Sequence, residues 1–326
     1  MRRIWLISIF FVSVSSARAG DIKHGIDSLL PVRGVYHPEG AMLSALQDAE
    51  ADFSKSRDAR KAMASLCRIA KLRYFAAGGK GRYKLFSGLA RFSSRLKLYP
   101  LAMKFYRKAV ADADDLPDYL LPDSNAAGIS SPVGVWTSTP IHVSDLLTAF
   151  NDGKAATEFA MIVHVKQPIR GRRKAFTHIN NVGHTFITLI KYNEDHSVVA
   201  RSFGFYPHKK GFFSATPFHV NAPSDFKDDA LHEWDESVGK FISVGQFQRM
   251  LGLLAQYDHM IYNLNHNNCT DFGLQAAAIG GIRILETRGR WPLGKGNNPA
   301  NAGQSVLEGK VANIDPQYKY PLFLNN

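Results

Sequence analysis

The sequence predicts an α+β protein in two parts: an N-terminal all-helical domain, then a domain in which an antiparallel sheet packs on a helix that begins with a cysteine. Three observations carry that prediction. From about Gly40 to Asp115 apolar residues recur at helical spacing, whereas from Thr157 onward the period shortens to that of strands. Finally, the polar run Asn263-Leu264-Asn265-His266-Asn267-Asn268 stops at Cys269, where an Ala-rich helical pattern starts and closes at Gly280-Gly281.

Met1-Arg2-Arg3, the apolar run Ile4 to Val14 and the small-residue end at Ala17-Arg18-Ala19 have the layout of a secretory leader. The apolar run is too short to span a bilayer. Residues 1–19 are therefore expected to be a signal peptide cut after Ala19, which places the mature chain in the periplasm or outside the cell.

Residues 20–115 are expected to form the helical domain. Ala41, Leu43, Leu46, Ala49 and Phe53 open the pattern, Ala62 to Phe75 continue it, and Leu85 to Leu98 and Pro100 to Ala113 complete it around a break at Gly78-Gly79-Lys80-Gly81. Tyr99 to Val110 resembles the second helix of a tetratricopeptide-type repeat, and one such unit cannot bury its own face. The domain therefore reads as a packing or docking module for a protein partner. Residues 116–156, rich in Asp, Pro, Ser and Gly, read as a linker or extended region.

In the second domain, 157–326, Phe159 to Val165 is an apolar run. Thr185 to Tyr192 and Ser197 to Phe205 suit an antiparallel hairpin across the turn Asn193 to His196. Asn221 to Ser237, with its many carboxylates, reads as a surface loop. An amphipathic helix with Phe247, Met250, Leu251 and Leu254 on one side follows, and a short strand near Met260-Ile261-Tyr262 leads to Cys269.

Composition bounds the function. With 45% hydrophobic residues the chain buries a real core, and 40 Lys and Arg against 28 Asp and Glu give a formal charge of +12. That charge favours an anionic partner such as a cell-wall polymer or lipid head group. No nucleic-acid motif is present, and the basic residues of the first half also fit a solvated surface. No Cys or His pairs stand at zinc-ligand spacing, and Gly294-Lys295-Gly296 is too short for a phosphate loop, so neither metal nor cofactor is expected.

Cys67 and Cys269 are the two cysteines. In an oxidising compartment they could bridge, but Cys67 sits within an apolar helical face, where a buried thiol is ordinary. Cys269 stands instead at a helix N-terminus, where unpaired backbone N–H groups and the helix dipole favour the thiolate. A thiolate nucleophile needs a base. His184, between Gly183 and an alternating strand, is the candidate, with His266 ranked below it because no strand fixes it. The Cys269 backbone amide is the first oxyanion donor. Asn265, Asn267 and Asn268 are alternatives for a second donor or for the helix cap, and Asp271 is a favourable first-turn charge.

Gly183-His184-Thr185-Phe186-Ile187, Gly204-Phe205-Tyr206-Pro207 and Asn268-Cys269-Thr270-Asp271-Phe272, in that order, resemble the circularly permuted papain-like cysteine hydrolases, relatives of the NlpC-type cell-wall peptidases and of the lecithin:retinol acyltransferase group. The resemblance covers roughly Thr157 to Leu307. It implies a permuted papain-like catalytic domain, with Cys269 as nucleophile and His184 as general base. Such enzymes carry a third polar residue that orients the imidazole. With a four-residue turn, Tyr192 faces Ser197 and His184 faces Phe205, so apolar Phe203, Phe205 and Pro207 surround the histidine and the third residue stays unassigned.

The expected activity is a thiol hydrolase that cleaves amide bonds, with peptidoglycan stem peptides as the substrate class that the resemblance and compartment imply. An acyltransferase or lipid esterase, using Phe203, Phe205, Tyr206, Phe212 and Phe213 as a lipid-facing groove, is the alternative on the same fold. A catalytically inactive adaptor is the alternative from another class.

Overall fold

The computed structural model describes residues 79–110, 137, 139–175, 182–208, 215–318 and 321–326. The expected leader, the helices before Gly79 and Cys67 lie outside the described residues. The chain divides between Ser131 and Pro132 into two compact units.

In the first unit, α1 (Gly79–Arg95) and α2 (Tyr99–Val110) form a helical hairpin. It turns at Lys97, whose φ of 63° puts it in the left-handed region, while Leu98 N–H returns to Ser93 O at 2.9 Å. Phe92, Leu96, Leu101, Met103 and Phe105 are buried. The helix starts at Gly79, within the glycine cluster expected as a break.

The second unit begins earlier than Thr157. Within the expected linker, β1 (Pro140–Ile141) pairs with a sheet edge, and α3 (Val143–Phe150) buries Val143, Leu146 and Phe150 in the core. Val143, Leu146, Leu147 and Phe150 recur at helical spacing, so α3 has an apolar side to bury. Proline and serine around it hid that pattern.

β2 (Ala156–Lys166), β3 (His184–Asn193) and β4 (Val198–Pro207) form the centre of an antiparallel sheet. β5 (Asn221–Ala222), β6 (Ser224–Asp228) and β7 (Glu236–Ile242) follow. The expected surface loop 221–237 thus holds two strands and the start of a third. In Ser224-Asp225-Phe226-Lys227-Asp228 only Phe226 is fully buried, which is the single-sided pattern of a strand near a sheet edge. Its carboxylates obscured that alternation.

Next come α4 (Val244–Tyr257), β8 (Tyr262–Asn263), α5 (Cys269–Ile279), β9 (Ile282–Ile284), β10 (Arg288–Trp291), β11 (Gly294–Asn297), α6 (Pro299–Leu307), β12 (Val311–Asn313) and β13 (Phe323–Asn325). The seven-stranded sheet runs β1-β6-β4-β3-β2-β7-β13. Alternate residues Met161, Val163, Ile187, Leu189, Phe203, Phe205 and Val238 join the apolar sides of α4 and α5 in one core.

Phe272 anchors α5 there, with its ring 5.0 Å from Tyr257 and 5.2 Å from Phe226. Truncating such a residue costs about 3–5 kcal/mol. Two residues with little bulk bring the same helix close to the sheet. A Cβ on Gly273 would stand 2.5 Å from Thr185 Cγ2, and Thr185 Oγ1 lies 3.2 Å from Thr270 Oγ1. Core burial and this close approach place the start of α5 beside the start of β3.

The β3–β4 turn differs from expectation by one residue. The loop is Glu194-Asp195-His196, closed by Asn193 N–H to Ser197 O at 2.9 Å, with His196 left-handed at φ 66°. A three-residue loop ending in a left-handed residue is a standard hairpin geometry. Tyr192 therefore faces Val198, and Ile187 faces Phe203. Because side chains alternate, the one-residue change exchanges the faces of the whole strand.

Candidate active site

β3 enters through Gly183, whose φ is 75° and where a Cβ would meet Pro168 and Pro299 at 2.8 and 2.9 Å. Only glycine fits such a point without strain. His184 follows at once, its orientation fixed by the strand.

The observed register brings His184 abreast of Tyr206, and their rings are 4.2 Å apart. The Tyr206 hydroxyl donates to Asp229 Oδ1 at 2.6 Å, and Asp229 Oδ2 lies 3.1 Å from His184 Nε2. Asp229 is the first residue after β6 and is fully buried; its backbone N–H bonds to Ser202 O at 2.9 Å. The carboxylate reaches the imidazole across Gly204. A Cβ on Gly204 would stand 2.5 Å from Asp229 Oδ2 and closer still to His184 Nε2, so the missing side chain makes room for the contact.

Cys269 is the first residue of α5. Asn268 caps the helix by accepting from Thr270 N–H at 2.8 Å and Asp271 N–H at 3.2 Å, while Asp271 Oδ2 accepts from Asn268 N–H at 3.0 Å. This reciprocal cap uses the second and third N–H groups of the helix and leaves the first, that of Cys269, for another partner. Tyr262 is buried, and burial together with the charge of Cys269 holds its hydroxyl well above the ordinary tyrosine range. Cys269 is a buried free thiol.

The Cys269 thiol and the His184 ring interact electrostatically, each favouring the charged form of the other. With Nε2 committed to Asp229, Nδ1 is the ring nitrogen left for sulfur. Burial alone would lower the histidine pKa, but the Asp229 charge and hydrogen bond, joined by the Cys269 thiolate, reverse that and push it up to about 9. Burial likewise opposes thiolate formation at Cys269. It is outweighed by the hydrogen bond and charge of His184, the Thr185 backbone N–H and the Thr270 hydroxyl, so the thiol titrates below its ordinary value. Opposite shifts in two groups that stabilise each other's charge describe a thiolate–imidazolium pair.

The structure thus brings together Cys269 and His184, the two residues singled out in the sequence. It does not gather the asparagines around the thiol. Asn268 is the cap, with its Nδ2 donating to Leu264 O and Asn297 O, each at 2.9 Å, and Asn267 Nδ2 donates to Ile261 O at 2.8 Å. His266 is exposed. Asp271 closes the cap and accepts from Asn297 Nδ2 at 2.7 Å.

Sequence reasoning missed Asp229 and Tyr262, and it named Tyr206 without assigning it to His184. The usable signals were Gly204 in mid-strand, which marks a close approach, and the phase of Phe226 in Ser224 to Asp228. Phe203 and Phe205 are fully buried in the sheet core and Tyr206 holds Asp229, so these residues form no lipid-facing groove; Phe212 and Phe213 lie outside the described residues. Among the described residues no group of three or more His, Cys, Asp and Glu side chains is placed to hold a metal ion.

No family model, curated protein or solved structure matches the chain.

Proposed function

We propose that this protein is a thiol hydrolase that cleaves amide bonds through an acyl-enzyme. The observation that carries the reading is one imidazole held between a buried carboxylate, Asp229, and a thiol at a helix start, Cys269. A nucleophile, a base and a group that orients the base are the three parts that nucleophilic acyl transfer needs.

In the reaction, the Cys269 thiolate attacks the amide carbonyl. The oxyanion is received by the Cys269 N–H at the helix start, with the Tyr262 O–H as the proposed second donor. His184, protonated in the resting pair, gives its proton to the leaving amine as the C–N bond breaks. It then takes a proton from water, whose oxygen attacks the thioester; the C–S bond breaks, the acid leaves and the thiolate–imidazolium pair is restored. Throughout, Asp229 holds the ring and balances its charge, and Tyr206 holds Asp229.

The order of the motifs around His184 and Cys269 resembles the permuted papain-like hydrolases. Together with the leader-like N-terminus it supports peptidoglycan stem peptides as the substrate class, met in the periplasm or outside the cell. The adaptor alternative drew its support from an unassigned third residue, and Asp229 removes that support.

The test is to incubate the mature protein with peptidoglycan stem peptides and, separately, with phospholipids, and to follow products and the intact mass of the protein. Amide cleavage with a peptidyl adduct on Cys269, lost in Cys269→Ala, supports the reading. Acyl transfer from phospholipid alone would replace it with a lipid acyltransferase, and a Cys269→Ala variant with full activity would end it.

A further inference from the structure

The reciprocal cap at the start of α5 is held from outside the helix by Asn297, the last residue of β11. Three of its polar atoms are committed. Its carbonyl accepts from Asn268 Nδ2 at 2.9 Å, its Nδ2 donates to Asp271 Oδ1 at 2.7 Å, and its Oδ1 accepts from Thr287 Oγ1 at 2.7 Å. Asn268 and Asp271 are the two halves of the cap, and Cys269 lies between them in the chain.

The chemistry of this position admits few side chains. Asp271 is buried, and burial pushes its carboxyl pKa up against the opposing hydrogen bonds from Asn268 and Asn297. One of its oxygens is met by the Asn268 N–H, so the other needs a neutral donor. An amide supplies that donor and, on the same plane, an acceptor. The buried Thr287 hydroxyl decides which way the amide faces, because Oδ1 turned to Thr287 leaves Nδ2 turned to Asp271. Thr287 is itself fixed to the same strand end, where its carbonyl accepts from Asn298 N–H at 3.1 Å.

Removing the amide would leave a buried carboxylate oxygen unmet, which is costly. The carboxylate would be drawn toward water and away from the Asn268 N–H. Asn268 in turn receives the Thr270 and Asp271 N–H groups, so the first turn of α5 would loosen around Cys269. A thiolate at a helix start depends on the alignment of that turn.

We propose that Asn297, oriented by Thr287, is a positioning residue for Cys269: through Asp271 and Asn268 it holds the first turn of α5, and with it the thiol, in place for attack. The assignment rests on the thiol-hydrolase reading, and it extends the machinery of the site from α5 to the β10–β11 hairpin.

The test uses the full-length mature protein and substitutions that keep its charge. Cys269 alkylation by iodoacetamide is followed against pH at 25 °C by peptide mass spectrometry, with the melting temperature measured beside it. In Asn297→Leu the titration midpoint should rise by about one pH unit, a tenfold change in the thiolate equilibrium. Thr287→Val should shift it in the same direction. Asp271→Asn combined with Asn297→Asp exchanges donor and acceptor and keeps the hydrogen bond, so it should return the midpoint to that of the wild type. A role confined to stability would lower the melting temperature and leave every midpoint unchanged, which would overturn the proposal, as would an exchange variant as impaired as Asn297→Leu. If Asn297→Leu does not fold, Thr287→Val decides: a raised midpoint supports the assignment and an unchanged one overturns it. Amide cleavage by the wild type is scored separately. The predicted shifts without cleavage leave the positioning role standing and the hydrolase reading fallen; cleavage without the shifts does the reverse.

Discussion

His184 Nε2 and Asp229 Oδ2 meet at 3.1 Å across the bare backbone of Gly204. That contact fixes which ring nitrogen is left for Cys269. Asp229→Asn keeps the shape and removes the charge, so the raised histidine pKa should fall, and the thiolate loses the partner that stabilises it. We expect kcat/KM on the stem peptide to fall by about 10²-fold or more. An unchanged value would show that Asp229 has no part in catalysis.

Gly204→Ala tests the same contact from beneath. The added methyl group would collide with both His184 Nε2 and Asp229 Oδ2. Activity should drop about as far as in Asp229→Asn, while circular dichroism reports an intact fold. Full activity in a folded Gly204→Ala protein would mean that the imidazole and carboxylate do not work as a pair.

The pH dependence of stability has a definite sign. His184 titrates at about 9 in the folded protein against an ordinary 6.5, so the stability that it gains from Asp229 is complete below pH 6.5 and is lost as the pH rises through 9. The melting-temperature gap between wild type and Asp229→Asn should therefore be widest near pH 6.5 and narrow above pH 9. Thermal scans across that range check it, and a gap that widens with pH would reverse the assignment of charge.

Tyr262 is buried and interacts electrostatically with Cys269. Tyr262→Phe removes one of the two proposed oxyanion donors and should lower kcat by about 10²-fold. The same variant should keep a reactive thiol, because His184 and Asp229 remain. If alkylation of Cys269 fails in step with kcat, the hydroxyl serves the thiolate and not the oxyanion.

How much of this was legible in the chain depends on distance along it. The cysteine at the helix start could be read because the cap, the nucleophile and the apolar run are contiguous. His184 could be read because a strand pattern follows it directly. Asp229 could not, for two reasons. Its reach to His184 depends on strand pairings whose register turns on one left-handed residue, His196, in a three-residue loop. It also sits beside Asp225 and Asp228, where composition suggested a solvated loop, and only the tertiary fold distinguishes the buried Asp229 from those two neighbours. α3 was hidden in a similar way, as a short helix within proline- and serine-rich sequence.

The most direct measurement of the central claim is the rate of Cys269 alkylation by iodoacetamide as a function of pH, read by peptide mass spectrometry so that Cys67 is scored apart. The thiolate–imidazolium pair predicts a reactive Cys269 whose titration midpoint lies below its ordinary value of 9.0 and moves upward in His184→Ala and in Asp229→Asn. A midpoint at or above 9.0 that neither substitution shifts would contradict it.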